Sequence, residues 1–157
     1  MRLPCDLSDT ELIDAGSAAD AVACFRMIIF CSGQLRRRLD DRLKADDLTS
    51  QQGILLTVVR TRDRPTLGDV AAAMSTSHQN AKQIALALER KGMIRFSKDA
   101  TDGRIKRLTA TKAGLRVWQN RDVGDFAAIG AWFAQLSGDE QKKLKRLLGR
   151  LAAAIDT

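Results

Sequence analysis

Apolar positions along this chain recur mostly at helical spacing. Between Ala21 and about Lys44, the residues Ala21, Cys24, Ile28, Cys31 and Leu35 alternate three- and four-residue steps, and Phe25, Leu39 and Leu43 widen the stripe. A repeat nearer 3.5 than 3.6 residues predicts a helix packed along another helix, one from a second copy included. Thr49 with Gln52 reads as a capping box opening a second helix, with Ile54, Leu55 and Val58 inward and Pro65 as its stop. Thr66 with Asp69 opens a short third helix whose inner face is Leu67, Val70, Ala71 and Met74. Ser77 with Asn80 opens a fourth, with Ala81, Ile84, Ala85 and Leu88 inward and Gly92 as its C-terminal stop.

The period then changes. Met93 to Ser97 and Ile105 to Thr109 are short β-compatible runs, and the segment 98–104, with Asp102-Gly103 near its tip, joins them as a hairpin. Helical spacing returns from Thr111 to about Leu136. Ser137 and Glu140 cap a last helix bearing Leu144, Leu147, Leu148, Leu151 and Ile155 on one side. Residues 1–20 are acidic, broken by Pro4 and Gly16, and read as a flexible N-terminal arm. The fold class is therefore mainly α with one small β-hairpin, in a chain of 157 residues that suits a single domain with helical extensions.

Charge adds a direction. Lys and Arg number 26 against 19 Asp and Glu, a net +7 that suits a polyanionic partner. Most of the excess lies between Arg90 and Lys112, where Arg90, Lys91, Arg95, Lys98, Arg104, Lys106, Arg107 and Lys112 face only Asp99 and Asp102. A membrane is excluded as partner: the longest apolar stretch, Ala21 to Cys31, is interrupted by Arg26, whereas a span needs roughly 20 apolar residues. Acidic residues stand where a signal peptide requires basic ones, so a cytoplasmic location is expected. His78 is the sole histidine, too few for a zinc site of about four ligands, and no metal or other cofactor is expected. With no Ser/His/Asp or Cys/His arrangement and no phosphate-binding glycine loop, the chain does not read as an enzyme.

The order of helix, short helix, helix with small residues at its start, then basic hairpin is that of a winged helix-turn-helix. The outer face of the fourth helix would carry His78, Gln79, Asn80, Lys82 and Gln83, side chains able to reach base edges. Backbone N–H groups from Ser77 onward suit a phosphate. Lys98, Arg104 and Lys106 of the hairpin would flank the duplex, with Arg104 entering a minor groove and Asp102 as the turn former that positions it. Taken singly, the polar helix face and the basic hairpin are each as well explained as solvated surface. Their combination in this order favours DNA.

These residues resemble the MarR family of transcription regulators. The similarity covers roughly Ala21 to Ile155. It is most specific in the run from Met74 to Ile94, in Asp99-Ala-Thr-Asp-Gly-Arg104 and in Ala110-Thr-Lys-Ala-Gly114. The family pattern has a Leu-Glu-x-x-Gly-Leu/Val helix exit, an Asp-x-Arg wing tip and a Leu-Thr-x-x-Gly start to the next helix. This chain follows it with Ala110 where Leu is usual and Ala100 where Pro is common. The resemblance implies a homodimer in which residues 21–48 and 111–157 form a helical dimerisation region and 49–110 the DNA-binding region. Recognition helices would enter successive major grooves of a pseudo-palindromic operator, roughly 34 Å apart. It implies a ligand-responsive repressor, with a small aromatic or anionic effector binding between the dimer helices and the DNA-binding lobe. Trp118, Phe126, Trp132 and Phe133 are candidate lining, although their spacing reads as the buried face of the fifth helix.

Three other readings stay open. Cys24-Phe25 resembles the peroxide-sensing branch of the family, making Cys24 a redox candidate, but the tyrosines that surround the thiol there are absent. Cys24 and Cys31 are seven residues apart, roughly 10.5 Å along a helix, too far for the Cα separation of about 7 Å that a disulfide tolerates. On an apolar stripe both read first as buried small hydrophobes. The other two readings are a regulator with no ligand and a winged-helix module whose basic face binds an acidic protein instead of DNA.

Overall fold

The computed structural model describes residues 18–155, without the side chains of residues 122 and 123. Helix α1 (Ala19–Leu43) runs into a 3-10 turn (Lys44–Asp46) and is followed by α2 (Ser50–Thr61), α3 (Leu67–Ala73) and α4 (His78–Arg90). Strands β1 (Ile94–Lys98) and β2 (Lys106–Ala110) come next, then α5 (Lys112–Trp132) and α6 (Gly138–Ile155). The chain divides into two compact units with the boundary between Gly114 and Leu115. The arm expected over 1–20 lies outside the described residues up to 17, Cys5 included, and its last two residues are already helical.

Local chemistry sets the helix boundaries. Thr49 with Gln52 and Thr66 with Asp69 are complete capping boxes, and Ser77 Oγ accepts the Asn80 N–H at 3.1 Å. Three exits use a left-handed residue: Asp47 (φ 53°), Ser75 (φ 47°) and Gly92 (φ 68°). Behind each, the next N–H reaches back to a carbonyl five residues earlier: Leu48 to Leu43 at 3.1 Å, Thr76 to Ala71 at 3.0 Å and Met93 to Leu88 at 3.0 Å. Glycine adopts this conformation freely; at Asp47 and Ser75 the chain accepts the steric cost.

The core of the first unit joins Leu43 and Leu48 to Leu55, Leu56 and Val59 of α2, Val70 and Ala71 of α3, Ala81, Ile84, Ala85 and Leu88 of α4, and Ile94 and Leu108 of the hairpin. The inner faces of α3 and α4 largely match the expectation, with Met74 and Leu67 only half-buried. In α2 the buried stripe is Leu55, Leu56 and Val59, and Ile54 is exposed. The run from Ile54 to Val59 is apolar nearly all round, so its pattern does not select a face.

The hairpin is antiparallel, pairing Ile94 with Ala110, Phe96 with Leu108 and Lys98 with Lys106. Both strands start one residue later than expected. The Met93 carbonyl is held by Thr111, through its N–H at 2.9 Å and its hydroxyl at 3.2 Å, outside the ladder. A third segment edges β2: the Leu108 N–H donates to Pro65 O at 2.9 Å, and Thr66 bridges Arg107.

Two expectations about burial are corrected. Cys24 and Cys31 are exposed, on a helix in which Phe25 is 64% exposed and only Leu43 is buried. Phe126, read as core, is 71% exposed, while Trp118, Trp132 and Phe133 are half-buried. No residue of α6 is buried, and Leu147, Leu148, Leu151 and Ile155 are exposed. Apolar periodicity reports which face is to be covered, and among the described residues these side chains stand exposed. No described helix is long and apolar enough to cross a membrane.

Candidate nucleic-acid interface

Helix α4 buries Ala81, Ile84, Ala85 and Leu88, which turns the opposite stripe outward. His78, Gln79, Lys82 and Gln83 all stand exposed on it. One of the residues expected there is engaged elsewhere, while Ser77 takes the capping role its spacing with Asn80 predicts. The Ser77 hydroxyl caps the helix, and half-buried Asn80 donates its Nδ2 to Thr76 Oγ1 at 2.8 Å, bracing the turn between α3 and α4. Leu86 stands exposed on the same outward face, a placement its residue type does not signal, because apolar residues in a helix read first as core.

The hairpin carries the remaining site residues. Lys98, Arg104 and Lys106 are exposed, and among the described residues none has an ionic partner. Lys98 and Lys106 oppose each other on the last rung of the ladder, an arrangement that like charges disfavour unless an anion lies between them. The tip is organised by acids. Asp99 accepts from the Thr101 hydroxyl at 2.6 Å, the Thr101 N–H at 2.9 Å and Arg107 Nε at 2.6 Å. Those hydrogen bonds, the Thr101 hydroxyl first, hold its carboxyl well below the usual carboxylate range. Asp102 accepts the Arg104 N–H at 2.9 Å, the positioning role expected of it, exerted on the backbone.

Not every cation in the basic segment is open. Arg107 is spent on Asp99, and Lys91 lies 3.0 Å from the Asp47 carboxylate while donating to the Asp47 carbonyl and to Gln52 Oε1. Composition counts these charges alike, and only the fold separates them. Arg64 is an addition that sequence reading missed. With φ 45° it sends Nη2 toward Ser97 Oγ (3.4 Å) and Lys98 O (3.3 Å), adding an exposed cation beside the wing. Its position ahead of Pro65 gave no periodic signal.

Two local bonds fix the wing against α4. Glu89 Oε1 accepts the Phe96 N–H at 3.2 Å, and the Thr111 hydroxyl donates to Gly92 O at 2.6 Å. In the second unit, Phe133, Leu144 and Leu148 with Lys142 and Lys145 line a pocket of about 700 Å³. Of the four aromatic residues named as effector candidates, Phe133 alone lines it. Among the described residues no cluster of His, Cys, Asp and Glu is arranged to hold a metal.

Comparison with known proteins gives a consistent picture. Residues 48–106 match the model of the MarR family. The chain is 30% identical over 115 residues to the transcriptional activatory protein BadR of Rhodopseudomonas palustris, an alignment covering 69% of this chain. It spans 62% of the length of that relative. The crystal structure of the S. aureus MepR–DNA complex is similar with a TM-score of 0.74 and 26% identity, over 84% of this chain and 95% of that one. S. aureus MepR in its DNA-binding conformation gives 0.70 at 26% identity, over 84% and 96%. The transcriptional regulator SlyA, at 22% identity and 0.76 over 84% and 93%, shows the same fold.

Proposed function

We propose, from the premise that this chain belongs to the MarR family of winged helix-turn-helix DNA-binding transcription regulators, that it binds a pseudo-palindromic operator as a homodimer and acts as a ligand-responsive repressor in the cytoplasm. It carries out no catalysis in this reading. The observation that carries it is the division of charge: Arg107 and Lys91 are neutralised within the fold, whereas Lys98, Arg104 and Lys106 are held open on an acid-braced wing beside the polar face of α4. Ser77, His78, Gln79, Asn80, Lys82 and Gln83 form the helix side of the interface. Asn80 there supports the turn, and His78, Gln79, Lys82 and Gln83 reach the groove.

The homodimer is supported by the uncovered apolar stripes. Phe25 and Ile29 on α1, and Leu147, Leu148, Leu151 and Ile155 on α6, are exposed apolar side chains that no described residue covers. The effector arm of the proposal is supported by the pocket of the second unit, where an apolar lining with two lysines suits a small aromatic anion. Such a ligand shifts DNA affinity only by its differential affinity for the two conformers.

Gel shift of the protein with genomic fragments at moderate salt tests the reading. A fragment retained against excess competitor DNA, by a species of twice the chain mass, is the expected result. Failure to retain any fragment, with capture of an acidic protein partner instead, refutes it. BadR is named an activatory protein, so activation is the second reading for the sign of control. A reporter driven by the retained fragment, with and without the protein, decides between the two.

A further inference from the structure

We propose that Leu86 reads a pyrimidine 5-methyl group in the major groove, a base-specific contact that rests on the duplex-binding reading above. On the helical net of α4, Leu86 lies between Lys82 and Gln83 on one turn and Glu89 and Arg90 on the next, all exposed. It is 41% exposed and is the sole aliphatic side chain among the described residues of that stripe. It is not surplus from the core, because Ala81, Ile84, Ala85 and Leu88 already complete the buried face on the other side. Gln83, Leu86, Glu89 and Arg90 outline a shallow depression. The acid in that group is drawn aside, its Oε1 taken by the Phe96 N–H at 3.2 Å.

An aliphatic side chain set in a polar, cationic stripe matches one feature of a duplex. Lys82 and Arg90 complement phosphates, Gln83 complements a base edge, and the C5 methyl is the apolar feature that the major groove presents. Thymine carries that methyl, as does 5-methylcytosine. Removing one methyl from such a contact should weaken binding about fourfold at each half-site.

The test uses a fragment that the wild-type protein retains, and compares wild type with Leu86→Ala and Leu86→Gln by anisotropy. Deoxyuridine replaces thymine one position at a time, deleting the methyl and preserving pairing. One position per half-site should cost the wild type about fourfold, and roughly fifteenfold when both half-sites are changed, while both variants are indifferent there. If 5-methylcytosine is the source, no deoxyuridine position matters, and methylating the cytosines tightens wild-type binding by a similar factor without affecting the variants. Parallel losses in wild type and variants at every position overturn the proposal. So does a changed oligomeric state of Leu86→Ala in light scattering, which would assign the residue to a protein contact. If the wild type retains no unmodified fragment, the duplex-binding reading itself fails, a result distinct from the others.

Discussion

Replacing Lys98, Arg104 and Lys106 together by alanine measures how much of the grip on DNA the wing carries. All three are exposed and lack an ionic partner among the described residues, and two face each other across the last rung of the hairpin. With one phosphate per side chain, a dimer loses about six contacts, so the slope of log affinity against log salt should flatten by about 5. Between 50 and 200 mM salt that is roughly a thousandfold less loss of affinity. Arg107→Ala removes the same formal charge from the same hairpin, but its guanidinium lies 2.6 Å from the Asp99 carboxylate. It should weaken binding by loosening the wing and move the slope by less than about 1. Fluorescence anisotropy on a labelled operator fragment, titrated at several salt concentrations, reads both quantities. A triple variant with the wild-type slope, or an Arg107→Ala variant as flat as Arg104→Ala, refutes the division of charge on which the proposed interface stands.

Other substitutions probe the frame beneath that surface. A Cβ on Gly114 would overlap the Met93 carbonyl oxygen and lie 3.2 Å from Leu56 Cδ1, so Gly114→Ala should destabilise by about 1–3 kcal/mol, read as a lower denaturation midpoint. Ser75→Gly, at φ 47°, should stabilise by about 0.5–1 kcal/mol in the same measurement, because glycine relieves the left-handed strain that serine bears. Asp99 has a lowered carboxyl pKa, so its contribution is complete above its ordinary value of 3.8 and is lost as pH falls through the lowered one. Acid melts should therefore show a smaller stability loss below about pH 4 in Asp99→Asn than in wild type, and equal losses would count against the wing network. Leu147→Asp with Leu151→Asp should halve the mass seen in light scattering, since both side chains sit on the uncovered stripe of α6.

Much of this architecture is legible in the chain itself, and the parts that are not share a cause. Capping boxes at Thr49 and Thr66 and the glycine exit at Gly92 act within five residues, so residue type and spacing suffice to place them. The Thr111-x-x-Gly114 pair has a physical meaning that spacing alone does not give. The threonine hydroxyl accepts the Gly114 N–H at 3.2 Å and donates to Gly92 O, and the glycine lets the Met93 carbonyl approach the helix. What the sequence could not show depends on partners distant along the chain. Lys91 looks like any wing cation until Asp47, 44 residues earlier, is brought to it. Arg64 joins the wing across 33 residues, and Asn80 turns from base reader to brace because Thr76 lies within reach. The exposed stripe of α1 was legible as a stripe, but a periodic pattern is silent about whether its cover belongs to the same chain.

The bonds around Met93 bear on how such a protein could be regulated. Glu89 on the Phe96 N–H, Thr111 on Gly92 and Met93, and Arg107 on Asp99 tie the end of α4, both strands and the start of α5 into one packed group of the first unit. The outward side chains of α4 and the wing cations are therefore held at fixed separation within a chain, since a packed core does not deform continuously. On the proposed reading, an effector then gains little by reshaping either element. The variable that remains is the distance between the recognition helices of two copies, which must match about one turn of duplex, roughly 34 Å. A ligand that favours a different separation discriminates against bound DNA by its own differential affinity, and bound DNA weakens that ligand by the same factor. Effector affinity measured with and without a saturating operator fragment should thus change by the same ratio as operator affinity measured with and without saturating effector. Unequal ratios would place the effector's action outside this two-state spacing.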